Sequence, residues 1–187
     1  MAYITFQPKD HFNTVLYTGT GSELAITGVG FQPDWTWIKR RDAVANGGMF
    51  DVLRGVTKLI SSSQTDAEQT LAQSLKSFDS DGFTVGTSNE SKVNGTGSSF
   101  ISWNWRSNAG TTATNTSGTI TSTVQANQDL GFSIVTWTGT GSDGTIGHGL
   151  GKAPKWIICK LRDTTTQDWF FNPGEITGDR GKYMKFN

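Results

Sequence analysis

Along much of this chain, apolar residues recur at every second position over short stretches, and turn-forming residues separate those stretches. Asn13-Thr14-Val15-Leu16-Tyr17-Thr18 runs into a Gly-Thr-Gly turn. Trp35-Thr36-Trp37-Ile38-Lys39-Arg40 alternates with period two, which puts Trp35 and Trp37 on one face and Thr36 and Ile38 on the other. Met49-Phe50-Asp51-Val52 and Thr57-Lys58-Leu59-Ile60-Ser61 predict two more short strands. Asp81-Gly82 centres a hairpin over residues 78–86, and Asn94-Gly95 marks another turn. Phe100-Ile101-Ser102-Trp103-Asn104-Trp105-Arg106 is the clearest strand, with Ile101, Trp103 and Trp105 on one face. Residues 119–124 and 131–137 continue the series. Only residues 65–75 have helical propensity, and both a helical turn and an irregular loop remain open there. Short strands at spacings of about ten residues, with turn signals between, predict an all-β, antiparallel two-sheet sandwich. Its inner faces are expected to be paved by Trp, Ile and Phe, with Trp35, Trp103, Trp105 and Trp156 in the core.

The pattern also repeats. Tyr17-Thr18-Gly19-Thr20-Gly21-Ser22 returns 120 residues later as Trp137-Thr138-Gly139-Thr140-Gly141-Ser142. Downstream, Ile26-Thr27-Gly28-Val29-Gly30 answers Ile146-Gly147-His148-Gly149-Leu150-Gly151, and Trp35 answers Trp156 with a slip of one residue. A period this long suits a small domain rather than a solenoid. The expected layout is an amino-terminal arm (1–11), a first sandwich unit (12–107), a polar linker (108–118) and a second, incomplete copy of the unit (119–187). Tandem copies are expected to hold their Thr-Gly-Thr-Gly segments in like surroundings, and unlike surroundings would count against a duplicated module.

Composition narrows the function classes. The 16 Lys and Arg balance the 16 Asp and Glu among 187 residues, so no net field draws the chain to nucleic acid or an anionic membrane. Lys39-Arg40-Arg41 reads as a solvated strand end. The single cysteine, Cys159, excludes an intrachain disulfide and is expected to pack as a small hydrophobe. The amino terminus has neither a basic n-region nor a long apolar stretch, so neither a signal peptide nor a transmembrane helix is expected.

Several of these stretches together resemble a known family. They are residues 26–42, Phe50-Asp51-Val52-Leu53-Arg54-Gly55-Val56-Thr57-Lys58, Phe78-Asp79-Ser80-Asp81-Gly82-Phe83 and Ser102-Trp103-Asn104-Trp105, with the opening Tyr3-Ile4-Thr5-Phe6-Gln7-Pro8-Lys9-Asp10. The chain is similar to cyanophage-like virion proteins of marine bacteriophages, of the tail-fibre type, with repeated concanavalin A-like lectin/glucanase domains. That resemblance implies a jelly-roll sandwich in a structural protein assembled in the host cytoplasm into the virion. The arm would engage other virion proteins. The protein would be a homo-oligomer, a trimer if it is a fibre, and host-surface glycan is a candidate ligand. A capsid decoration or head fibre is the close alternative.

Candidate chemistry is sparse. A β-glucan hydrolase of this fold would carry a Glu-x-Asp-x-x-Glu array on one strand, setting nucleophile and acid on the same face. The four glutamates, Glu23, Glu68, Glu90 and Glu175, stand apart, which argues against an enzyme. His11 and His148 are the only histidines, and pairing His148 with Cys159 would join a turn to an apolar strand. Asp79-Ser80-Asp81-Gly82 opens like a calcium loop, with Glu90 at the twelfth position. An Asp-Gly turn explains the same residues, so Asp79 and Asp81 are weak candidates for structural calcium. Trp169 and Phe170 lie outside any alternation and are the weak candidates for stacking on a sugar.

Overall fold

The computed structural model describes residues 7–87, 92–108, 110–164, 166–173 and 184–185. Among the described residues, fifteen strands and one 3-10 turn (Pro8–Asp10) form an all-β protein in which every pairing between strands is antiparallel. Residues 65–75 are not helical; they hold a two-residue strand and the start of another. Among the described residues no helix is long and apolar enough to cross a membrane.

The first part of the chain supplies β1 (Phe12–Thr18), β2 (Leu24–Ile26), β3 (Trp35–Arg40), β4 (Gly48–Asp51), β5 (Lys58–Ser61), β6 (Gln69–Thr70), β7 (Leu75–Asp79), β8 (Gly82–Val85) and β9 (Ser99–Trp105). They form a six-stranded sheet, β1-β9-β3-β4-β5-β6, and a three-stranded sheet, β2-β8-β7. The two sheets meet around Ile26, Ile38, Phe50, Leu59, Leu75, Phe83, Val85, Val93 and Phe100. Burial of these side chains, at about 1.5–3 kcal/mol each, is the main favourable term.

The predicted alternation is present, but its faces are reversed. Thr36, Ser102 and Asn104 point inward and are fully buried, while Trp35, Trp37, Trp103 and Trp105 lie half-buried on the opposite face of the large sheet. A period of two shows which residues share a face and leaves open which face is the interior. The inward polar groups satisfy one another. Thr36 donates to Asn104 Oδ1 (3.1 Å), and Asn104 Nδ2 donates to Ser102 Oγ (3.0 Å) and to the Asn13 carbonyl (3.3 Å). Buried polar groups paired in this way avoid the desolvation penalty of unpaired ones.

The rest of the chain adds β10 (Ala113–Asn115), β11 (Ser122–Asn127), β12 (Phe132–Trp137), β13 (Trp156–Cys159), β14 (Phe170–Pro173) and β15 (Met184–Lys185). These make two further sheets, β10-β11-β12 and β13-β14-β15. Part of the expected linker, residues 113–115, is therefore strand, since a Thr-rich run has β propensity. Trp156 is also not a core residue: it is 69% exposed. The β3–β4 and β13–β14 hairpins pair alike, the first residue of one strand opposite the last of the next, Trp35 with Asp51 and Trp156 with Pro173.

The two Thr-Gly-Thr-Gly segments share a local turn. Gly21 and Gly141 have φ of 72° and 77°, and Thr20 and Thr140 each donate to the carbonyl two residues on, at Ser22 and Ser142. Their surroundings differ from the expectation. Thr20 N–H and Gly21 N–H donate to Asn94, and Gly19 N–H donates to the Ser98 carbonyl, whereas residues 138–145 are exposed.

Candidate functional site

The outer face of the large sheet carries a row of aromatic rings. Phe12, Trp105 and Trp35 are cross-strand neighbours on β1, β9 and β3. The Phe12–Trp105 and Trp105–Trp35 centroids lie 5.0 and 4.2 Å apart, and Phe132 of β12 adds to the row 6.1 Å from Trp35. In the adjacent row Trp37 and Trp103 approach to 5.2 Å. Aromatic pairs in this range add about 0.5–1.5 kcal/mol beyond their area.

Trp169 closes one end of this face. It is 7% exposed, packs with Met49 and Ile60 beside Trp35 and Trp37, and donates its indole N–H to the Ser61 carbonyl at 2.8 Å. Its burial removes Trp169 as a platform for a sugar. Phe170, in β14, is half-buried opposite Cys159. What the sequence offered as a displayed aromatic is a wedge joining the carboxy-terminal segment to the sandwich.

Two polar joints reinforce the wedge. Asp34, fully buried, accepts hydrogen bonds from the Ser107 and Gly110 N–H groups (2.7 and 2.8 Å) and from Gln125 Nε2 (2.8 Å). A carboxylate at the entrance of β3 is thereby tied to β11. At the other joint Glu68 accepts a two-pronged contact from Arg162 (2.9 and 3.0 Å). Arg54 adds 3.3 Å to Glu68 and 2.5 Å to Asp51, and its remaining N–H groups go to the Lys58 and Met49 carbonyls. Burial opposes ionisation of Glu68, but the hydrogen bonds and charge of Arg162 and Arg54 outweigh it and hold the carboxyl below its usual range. Lys160 Nζ reaches the Thr65 carbonyl at 3.1 Å, and Glu68 N–H donates to the Arg162 carbonyl at 2.8 Å.

The calcium candidates are occupied by the protein's own donors. Asp81 accepts from Gly28 N–H (3.0 Å) and Gly30 N–H (2.6 Å), and these bonds hold its carboxyl below the usual range. Gly28 and Gly30 have φ of 87° and 88°, the left-handed geometry that points successive N–H groups at an anion. Asp79 accepts from Thr84 Oγ1 at 2.7 Å. Glu90 lies outside the described residues. Among those described, no group of three acidic, His or Cys side chains is gathered as a metal would need.

His148 Nδ1 accepts the Leu150 N–H at 3.2 Å. Burial pushes the Cys159 thiol up, the opposite of what a nucleophile needs. The basic cluster is also engaged: Lys39 donates to the Ala45 carbonyl, and Arg40 pairs with Asp42 at 2.6 Å.

One surface feature escaped the sequence reading. A shallow polar cleft of about 210 Å³ lies over the end of the β11–β12 ladder where Ser122 pairs with Trp137, lined by Thr121, Thr123, Thr136, Thr138, Arg162 and Trp137, the last 41% exposed. Its counterpart in the repeat, Tyr17, is half-buried against the core: it stacks on Phe100 at 5.1 Å and donates to the Val93 carbonyl at 2.7 Å. Burial pushes the Tyr17 hydroxyl well above its ordinary pKa. Matched sequence thus gave no sign that one aromatic would pack against the core and the other face the cleft.

No curated protein and no solved structure matches the chain. Residues 7–187 match a family model described as a domain of unknown function, DUF7483, and the chain belongs to that family.

Proposed function

We propose that this protein is a non-enzymatic structural component built from tandem β-sandwich units. The observation that carries this reading is the seam. A buried carboxylate at Asp34, the Glu68–Arg162 pair and the Trp169 wedge bind the carboxy-terminal segment to the first sandwich. Units joined through such contacts transmit force as one body, which suits a fibre or a shell. The equivalent pairing of β3–β4 and β13–β14 supports the tandem arrangement, as do the positive φ values of Gly28 and Gly30 and of their counterparts Gly149 and Gly151.

The setting we propose is a phage virion, as a tail fibre or appendage that is homo-oligomeric and trimeric if a fibre, with a jelly-roll, concanavalin A-like sandwich. This rests on the sequence resemblance. Antibody labelling of purified particles tests it, and absence of the protein from them overturns it. A capsid decoration or head fibre is separated from a tail role by where the label falls.

The Trp137 cleft favours glycan contact as an accompanying role, because an exposed indole among hydroxyl groups suits the apolar face and rim of a pyranose. Trp137→Ala should abolish retention on host envelope polysaccharide, and unchanged retention rejects that site. The rival reading, a polysaccharide hydrolase, requires reducing-sugar release that disappears on substitution of Asp79, Asp81 or Glu90.

A further inference from the structure

Among the described residues, strand β13 has a neighbour on one side only. β14 pairs with it through Trp156↔Pro173, Ile157↔Asn172, Ile158↔Phe171 and Cys159↔Phe170, and it ends its sheet on the other side. The matching strand of the first sandwich, β3, is paired on both sides, by β4 and by β9. The backbone hydrogen bonds of β3 fix which residues look which way. Asp34, just before the strand, bonds both ways, its carbonyl to Val52 N–H and its N–H to the Trp105 carbonyl. Arg41 N–H reaches the Ser99 carbonyl on the β9 side, continuing the register in which Lys39 faces Ile101 and Trp37 faces Trp103. Odd-numbered residues of β3, Trp35 and Trp37 among them, therefore address β9. Their counterparts Trp156 and Ile158 address the open edge of β13.

The side chains there are correspondingly bare. Trp156, Ile157 and Ile158 are 69%, 45% and 38% exposed, and Leu161 just beyond them is 46% exposed. Consecutive residues of a strand point to opposite faces, so both faces as well as the edge lack cover. An apolar edge strand in this state is a template for pairing. Such edges take up an extended segment through main-chain bonds and choose it by alternate side chains.

We propose that the open edge of β13 is an interaction site for an extended segment patterned like β9: bulky aromatic residues alternating with Ser or Asn. The inference rests on the tandem-unit reading above. It extends an interface the molecule already makes once, β9 against β3. In that interface Trp105 faces Trp35 across the strands with rings 4.2 Å apart, Asn104 faces Thr36, and Trp103 faces Trp37. Transferred to β13, the incoming segment runs antiparallel, stacks a tryptophan on Trp156 and sets a small polar residue opposite Ile157. A second aromatic packs on Ile158. A second copy of this chain is a poor donor, because its own β9 is held between β1 and β3.

The test uses the 187-residue chain and a synthetic peptide with the sequence of residues 99–106, extended by lysines for solubility. Isothermal titration measures binding, and hydrogen exchange locates it. The expected result is a saturable one-to-one complex in which the amides of Trp156 and Ile158 gain protection. Methylating the peptide nitrogen at the residue corresponding to Trp103 removes one edge hydrogen bond and should weaken binding by about tenfold. Ile158→Pro should abolish it. The methylated peptide remains decisive if that variant does not fold.

Absence of binding overturns the proposal, and so does protection that falls on the free edge of β1 or β6. Concentration-dependent self-association abolished by Ile158→Pro also overturns it, since the occupant would then be a second copy. The tandem reading is checked separately by an NMR cross-strand contact between Ile157 and Asn172. With that contact present and no peptide bound, only the docking inference falls; without it, the tandem reading falls as well.

Discussion

Trp169 offers the sharpest test of the seam. Trp169→Ala removes an indole that packs against Met49, Ile60, Trp35 and Trp37, and it leaves the Ser61 carbonyl without the indole donor. A buried aromatic covers roughly 150–250 Å², which at about 25 cal/mol per Å² corresponds to about 4–6 kcal/mol at most. Aromatic truncations in packed interiors cost about 3–5 kcal/mol, a range that includes partial collapse of the cavity. We expect a loss of about 3–5 kcal/mol at the seam. Trp169→Phe keeps most of the apolar contact and loses the hydrogen bond, so it should cost about 1–2 kcal/mol. Urea denaturation followed by circular dichroism measures the total, and hydrogen exchange shows where it falls. The β13–β14 hairpin should lose protection before β3 and β9, whose core of Ile38, Phe50 and Phe100 does not involve Trp169. A loss below about 1 kcal/mol, or equal loss of protection across β3, β9 and β13, refutes Trp169 as the wedge.

The other predictions are narrower. Asp34→Ala removes the acceptor of three hydrogen bonds inside the seam and should destabilise by about 3 kcal/mol or more, as a lower urea midpoint. Glu68 has a folded pKa below its unfolded one, so its contribution is complete above about pH 4.3 and is lost as pH falls through the depressed folded value. Glu68→Gln should flatten that acid limb in a thermal-melt series; an unchanged limb assigns it to other carboxyls. Gly82→Ala brings a Cβ to 2.0 Å from the Ile26 carbonyl oxygen at a φ of 152°. It should cost about 2–3 kcal/mol, which a near-wild-type melting temperature contradicts. Because Asp79 and Asp81 already serve Thr84, Gly28 and Gly30, adding calcium or a chelator should leave the melting temperature unchanged. A rise with calcium would restore them as ligands.

The strands of the first sandwich were legible because short-range alternation and Gly-centred turns are local signals. Ser102-Trp103-Asn104-Trp105 shows where such signals stop. They set Trp103 and Trp105 on one side, but the interior lies on the other, chosen by packing against the β2-β8-β7 sheet, which no window of β9 contains. The seam was illegible for a related reason. Asp34 meets Gln125 across 91 residues and Trp169 meets Ser61 across 108, so nothing near either member announces its partner. Repetition misled at one point: Tyr17 and Trp137 stand at matching positions, yet Phe100 and Val93 cover only the first.

The closeness of Trp35 and Trp105 has an optical consequence. Two indoles with centroids 4.2 Å apart and ring planes 25° from parallel form a coupled chromophore pair. Their transitions should split into a paired positive and negative band in the far ultraviolet, distorting any spectroscopic tally of strand content. The same couplet would serve as a label-free signal of whether β3 and β9 are still side by side.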